Sequence, residues 1–427
     1  MMVVLLGMGV AKLSLADSPE DINARASQDA PIQGNEPRPV PDTGVERPPP
    51  RIDFEPWRLV SSGETSDVYD VSFPSAMTTE HPVNDTVGLR VYMPSDRLGA
   101  VPCVILLHYW GATDTGPERA MAEHLNRRGV AGIVLSLPYH MARTPKGFRS
   151  GELAIQPDPA KLVVTMTQSI WDVRRAIDWI QSEKELDASR IGISGTSLGA
   201  IVASLAFGID PRLKAGCFML GGADLAHILW NSSRVVGERE ALRRRGYTEE
   251  RMRESLKSIE PLSYLRPGDR PTFIVGAKHD TVIPPADVEK LIRALEPSEE
   301  GEPGKKPERL WLDTGHYGGV FVERQLSRSM AGFFDAALHN REYRAPKTFL
   351  APTLRIGFEV NPASGLQVAV GLDLWRWSRN ADGFGAVLFT PKGIQGFLGY
   401  QIGGGLALGI TVLPKRTTVG AFWSAVL

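Results

Sequence analysis

Six short apolar runs, each bounded by turn residues, constrain this chain more than any other feature. Val101–His108, Ala131–Leu137, Arg190–Ser194, Lys214–Leu220, Pro271–Gly276 and Arg309–Leu312 are nearly continuous in apolar residues. A strand reads this way when both of its faces are covered, and crossover helices cover both faces of a parallel sheet. Amphipathic stretches lie between the runs. In Gln168–Glu183, for example, Ile170, Val173, Ile177 and Ile180 recur at helical spacings of three and four. The alternation occupies about residues 53–345 and predicts an α/β domain with a mostly parallel central sheet.

The flanks differ from this core. Residues 1–16 hold a short apolar run that ends Ser14-Leu15-Ala16 before Asp17. Small residues at those positions suit signal peptidase, so 1–16 is a candidate export signal, although only Met1 and Met2 stand where a basic segment is usual. The expected location is periplasmic or extracellular, or cytoplasmic if 1–16 is not a signal. Residues 17–52 carry Pro31, Pro37, Pro39, Pro41 and Pro48-Pro49-Pro50 among polar residues and read as a linker. Residues 350–427 contain 13 glycines and alternate with period two. Leu366, Val368, Val370 and Leu372 share one face, while Gln367, Ala369, Gly371 and Asp373 share the other. This segment reads as a separate β module of five or six strands.

Composition removes several functions. Lys+Arg is 48 and Asp+Glu is 49, which leaves a formal charge of −1 and none of the basic excess that nucleic-acid binding needs. The two cysteines, Cys103 and Cys217, lie inside apolar runs, so neither a disulfide framework nor a Cys/His metal site can be built. No glycine-rich loop leads to a phosphate-binding lysine. No cofactor and no metal are expected.

The chemistry-bearing signal is Gly195-Thr196-Ser197-Leu198-Gly199, set between the run ending at Ser194 and the helical stretch Ala200–Ala206. Between strand and helix, GxSxG is a nucleophile elbow, whose glycines allow a turn sharp enough to present the serine. A second acid-bearing strand end follows at Phe273–Asp280, then Arg309–Leu312 and Asp313-Thr314-Gly315-His316. The gaps from Ser197 to Asp280 and from Asp280 to His316 are 83 and 36 residues. A serine hydroxyl needs an adjacent base to become nucleophilic, and the base needs an acid to orient it. Ser197, His316 and Asp280 are therefore the candidate nucleophile, base and acid. Asp313 reads as a turn residue and His279 as an exposed neighbour of the acid.

With this order of residues the chain resembles the α/β-hydrolase superfamily, and within it dienelactone-hydrolase-like and prolyl-oligopeptidase-like esterases. Those lactone hydrolases use cysteine, whereas this elbow holds Ser197. The resemblance implies a backbone oxyanion hole, with one donor at Leu198. The other would be Trp110, with Tyr109 as the alternative, because His108-Tyr109-Trp110-Gly111 resembles the family's His-Gly loop but has Tyr109 in place of glycine. His108 is expected to brace that loop. Some relatives place the acid at the position of Asp224, which leaves it as the alternative to Asp280. The insertion at about 224–265 reads as two or three charged helices forming a cap. Its arginines alternate with glutamates, as on a solvated face, while Leu229 and Trp230 are candidates for an apolar acyl wall; Tyr317 reads as a packing aromatic, with the pocket lining as the alternative.

The implied activity is hydrolysis of a small-molecule carboxylic ester through an acyl-Ser197 intermediate. A peptidase or acyltransferase on the same fold, or an idle hydrolase fold used for binding, are the alternatives. The peptidases of similar core carry a large N-terminal propeller, for which residues 17–100 are too short. In the tail, the aliphatic face and Trp375, Trp377, Phe422 and Trp423 resemble outer-membrane strands, so membrane or polymer contact through 350–427 is one expectation. Five or six strands fall short of the eight that close the smallest such barrel, so a soluble antiparallel sheet packed on the hydrolase, or a substrate-binding accessory module, is the other.

Overall fold

A strand such as Val101–Leu107, in which all seven side chains are buried, can exist only in the middle of a covered sheet. The computed structural model, which describes residues 43–297, 304–346, 353–377, 383–403 and 405–426, has such a sheet at its centre. The candidate export signal and most of the proline-rich stretch lie outside the described residues. Its last part, 43–52, rests against a helix: Val45 is fully buried, and Arg174 and Arg175 donate to the carbonyls of Glu46 and Pro50.

Nine strands form the sheet: β1 (Arg58–Ser62), β2 (Ser66–Pro74), β3 (Thr86–Pro94), β4 (Val101–Leu107), β5 (Ala131–Leu135), β6 (Leu186–Thr196), β7 (Leu213–Met219), β8 (Thr272–Ala277) and β9 (Glu308–Leu312). Their order is β1-β2-β3-β5-β4-β6-β7-β8-β9. β5 through β9 pair in parallel, while β1, β2 and β3 add an antiparallel edge, β3 pairing with β5. The helices are α1 (Gly116–Asn126), α2 (Pro159–Ser182), α3 (Leu198–Ile209), α4 (Leu225–Asn231), α5 (Val236–Arg244), α6 (Glu249–Leu256), α7 (Pro285–Leu295) and α8 (Glu323–Leu338). α2 starts nine residues before the predicted stretch, because Pro159 begins it and the Asp158 side chain caps it by accepting from Ala160 N–H. One face of the sheet meets α2 and α3 in a core around Trp179, Ile177 and Phe207. The other meets α1 and α8 around Phe273, Phe333 and Phe334. The insertion contributes three helices, α4, α5 and α6, where two or three were expected. Among the described residues, no helix is long and apolar enough to cross a membrane.

The tail closes on itself with six strands, fewer than the eight that closure was expected to need. β10 (Thr353–Asn361), β11 (Gly365–Trp377), β12 (Gly383–Thr390), β13 (Gly393–Gly403), β14 (Leu406–Leu413) and β15 (Arg416–Val426) form a closed antiparallel barrel, sealed by β10 against β15. Six strands suffice because several inward positions carry no side chain. A Cβ on Gly357 would lie 1.9 Å from the Trp423 carbonyl oxygen, and one on Gly409 would lie 2.1 Å from that of Leu398. The aliphatic face points outward: Leu366 is 71% and Val368 52% exposed, while Gln367 and Asp373 are buried.

Inside, Arg355 donates from Nε to both oxygens of Asp373 at 3.0 and 2.9 Å and lies 4.2 Å over the Phe384 ring. Glu359 accepts from Asn361, Gln367 and Thr411. A buried charge that loses its partner is costly, whereas removing both charges is tolerated. Arg355→Met should therefore destabilise the barrel by about 3–5 kcal/mol. Arg355→Met/Asp373→Leu should recover most of that loss. Urea unfolding of the three proteins, followed by circular dichroism, checks the ordering.

Candidate active site

The turn from β6 into α3 places Ser197 at φ +55° and ψ −115°, a conformation that few non-glycine residues adopt. It is held from both sides. A Cβ on Gly195 would meet the Gly199 carbonyl oxygen at 2.1 Å, and one on Gly199 would meet the Leu107 carbonyl oxygen at 2.4 Å. Ser197 N–H donates to the Met219 carbonyl at 2.9 Å, fastening the turn to β7.

Two more loops arrive at the same place. Asp280 follows β8, and its Oδ1 accepts from the backbone N–H groups of Val282 and Ile283, both at 2.8 Å. That fixes the carboxylate and leaves Oδ2 for His316 Nδ1 at 2.7 Å. His316 opens the 3-10 turn His316–Val322 after β9, and its Nε2 is 3.0 Å from Ser197 Oγ. With Nδ1–H donating to Asp280, Nε2 is the acceptor for the serine hydroxyl. All three side chains are nearly buried, Ser197 being 9% exposed, His316 7% and Asp280 5%. Asp224 sits elsewhere in the network: Lys290 donates to it at 2.6 Å, and Arg253 and the His227 N–H donate to it as well. His279 is half-buried rather than exposed, because its Nε2 pairs with Asp313 at 2.8 Å.

Ser197 opens into an apolar cleft lined by Trp110, Met166, Ile201, Leu229, Arg234 and Ile283, among others. Leu229 is thus where the sequence put it. Trp230 is outside the lining and packs on the core under the Arg243 guanidinium, 5.3 Å from the ring. Tyr317 stacks edge-on against His316 at 5.3 Å, a packing contact and not a lining one. Of the cap arginines only Arg234 reaches the cleft, where it lies 5.1 Å over the Trp110 ring. Arg243 pairs with Glu240 at 2.8 Å, and Arg245 donates to the Pro157 carbonyl.

The loop after β4 is held by two histidines that meet edge to face. His108 Nε2 accepts from Leu137 N–H at 3.0 Å, and its Nδ1 faces the Tyr109 carbonyl at 2.9 Å. His140 Nε2 accepts from Gly111 N–H at 3.0 Å, and its Nδ1 faces the Pro138 carbonyl at 2.8 Å. The rings are 4.7 Å apart. His108 therefore braces the loop, as expected. His140 was invisible in the sequence, since it lies in an irregular stretch with no period to flag it. Gly111 N–H is spent on His140, which leaves the Trp110 and Tyr109 N–H groups as the loop's candidates for an oxyanion donor. Trp110 Nε1 donates to the Gly151 carbonyl at 2.7 Å, which fixes its indole.

Burial pushes the two imidazoles well below their ordinary range, His108 to about 3 and His140 to about 4. Each Nε2 already accepts an N–H, so a proton there would face a donor. The unfolded chain protonates near the ordinary histidine value of about 6.5, and the folded chain does so only near the lowered values. The unfolded state thus binds more protons as pH falls from about 6.5 toward 4, and stability is lost over that window. His140→Gln, which keeps an acceptor for Gly111, should flatten the slope of unfolding free energy by about 1.4 kcal/mol per pH unit there. Denaturant titrations between pH 7 and about 4.5 check this.

A mostly parallel sheet, a strand–serine–helix elbow and a carboxylate–imidazole–hydroxyl relay at its C-terminal edge make this an α/β-hydrolase fold. Residues 165–341 match the prolyl oligopeptidase family, a family of hydrolases built on that fold. The fold is similar to an acetyl xylan esterase from a Paenibacillus species, with a TM-score of 0.52 and 20% identity over 70% of this chain and 100% of that one. It is also similar to the acylaminoacyl peptidase of Pyrococcus horikoshii, with a TM-score of 0.50 and 15% identity over 66% of this chain and 44% of that one. In sequence, the chain is 30% identical over 225 residues to uncharacterized proteins from two strains of Mycobacterium tuberculosis, covering 51% of this chain. It spans about half the length of those curated relatives.

Proposed function

We propose that this protein hydrolyses carboxylic esters through an acyl-Ser197 intermediate. The reading rests on one observation: Ser197 Oγ, His316 and Asp280 are hydrogen-bonded in series, and Ser197 lines an apolar cleft. As the ester carbonyl is attacked, the Ser197 proton passes to His316 Nε2, and Asp280 stabilises the imidazolium. The oxyanion faces Leu198 N–H, which as the first residue of α3 has no carbonyl one turn back in the helix to bond. Trp110 or Tyr109 N–H supplies the second donor. Collapse returns the proton to the departing alcohol, and water activated by the same histidine then releases the acid. The acyl chain lies along Leu229, Met166 and Ile283.

The match to a peptidase family supports a second reading, amide hydrolysis at the same serine. A site that acylates from an amide also acylates from the matching ester, whose leaving group is better, so ester turnover is the minimal activity here. Turnover of p-nitrophenyl esters from acetate to long acyl chains tests the proposal. Ser197→Ala should lower kcat at least about ten-thousand-fold, and Asp280→Asn about a thousand-fold with KM little changed. Activity that survives in Ser197→Ala would overturn the proposal. Comparable turnover of peptidyl p-nitroanilides would favour the peptidase reading.

A further inference from the structure

The barrel presents an apolar outer wall. A soluble barrel shows water a polar wall, whereas this one is apolar outside and mixed inside, where Phe384, Leu388, Phe397 and Phe422 pack beside the buried Arg355, Glu359, Asp373 and Thr411. Every strand contributes exposed apolar side chains outside: Phe358, Val368, Phe389, Ile402, Ile410 and Val419, one from each strand, are 45%, 52%, 46%, 63%, 40% and 68% exposed. Such a wall is far more than the scattered exposed hydrophobes of an ordinary surface.

Two features decide what covers it. First, the apolar wall runs around the whole circumference, and a second copy of the chain would cover only one side. A solvent of hydrocarbon covers all sides, and an apolar outer band is what barrels in lipid present. Four of the six strands have the roughly 9–11 residues needed to cross a hydrocarbon core, β10 with 9, β11 with 13, and β13 and β15 with 11, while β12 and β14 have 8. Second, the three hairpin connections at one end, residues 361–365, 390–393 and 413–416, hold Lys392, Lys415 and Arg416 and no carboxylate. Lys392 donates to the Ser364 carbonyl and Arg416 to that of Ala363, which gathers the cations at that rim. A cationic rim beside an apolar wall complements anionic phospholipid headgroups above acyl chains.

We propose that the barrel seats the protein in a phospholipid bilayer, with its outer wall against acyl chains and the Lys392–Lys415–Arg416 rim among anionic headgroups. The full chain, purified and mixed with phosphatidylcholine vesicles containing about one third phosphatidylglycerol, should float with them on a density gradient. Brominated phosphatidylcholine should quench its tryptophan emission, and Trp423→Phe, which removes an outer-wall indole, should lower the quenched fraction. Val368→Asp/Ile410→Asp should cut the vesicle-bound fraction about ten-fold or more. Lys392→Gln/Lys415→Gln should abolish the preference for phosphatidylglycerol. Turnover of p-nitrophenyl acetate by each variant reports that its hydrolase domain is folded, and the wild-type quenching decides the matter even if an aspartate variant misfolds. A wild-type chain that stays unbound and unquenched would overturn the proposal. So would a discrete soluble oligomer that ignores vesicles, since copies of the barrel would then be covering one another.

Discussion

The backbone at Ser197 is the constraint on which the site depends. A serine at φ +55° costs about 1–3 kcal/mol relative to ordinary backbone. The turn is possible because Gly195 and Gly199 carry no Cβ where backbone carbonyls come close, and it is held because Ser197 N–H is anchored on β7. Out of that turn come two consequences. The hydroxyl projects from the edge of the sheet toward His316, and the first N–H groups of α3 are left aimed at the same space. Without the strained turn, neither the Ser197 hydroxyl nor the N-terminus of α3 would face the cleft.

The sheet supplies the rest by placement. β8 and β9 run beside β7 in parallel, so the loops after their C-terminal ends deliver Asp280 and His316 to one edge. Each polar atom of the relay then has one assignment. Asp280 Oδ1 is taken by two backbone N–H groups, Oδ2 by His316 Nδ1, and Nε2 is left for the serine. The loop opposite is equally determined, since two imidazoles kept neutral by burial hold its backbone through Leu137 and Gly111.

What the sequence disclosed follows from what its patterns depend on. The six buried strands were legible because coverage on both faces writes an unbroken apolar run, and the serine, acid and histidine because each follows such a run. The edge strands β1 to β3 were not, since β1 is exposed along its length and β2 is only partly buried. His140 acts through a loop that has no period. Trp230 was offered for the pocket on residue type, but which way a ring turns is settled by neighbours such as Arg243. In the tail, period two was plain, yet alternation alone does not tell which face is inside. Closure with six strands depended on inward glycines such as Gly357 and Gly409, whose role emerges only once strands are paired across the barrel.

The account turns on whether Ser197 is a nucleophile activated by His316. The most direct measurement is reaction of the native protein with a fluorophosphonate, followed by peptide mass mapping. The account predicts one adduct, on the peptide that carries Ser197, with its rate of formation falling at least about a thousand-fold in His316→Gln. A folded protein that takes up no label, or takes it up at another residue, would contradict it.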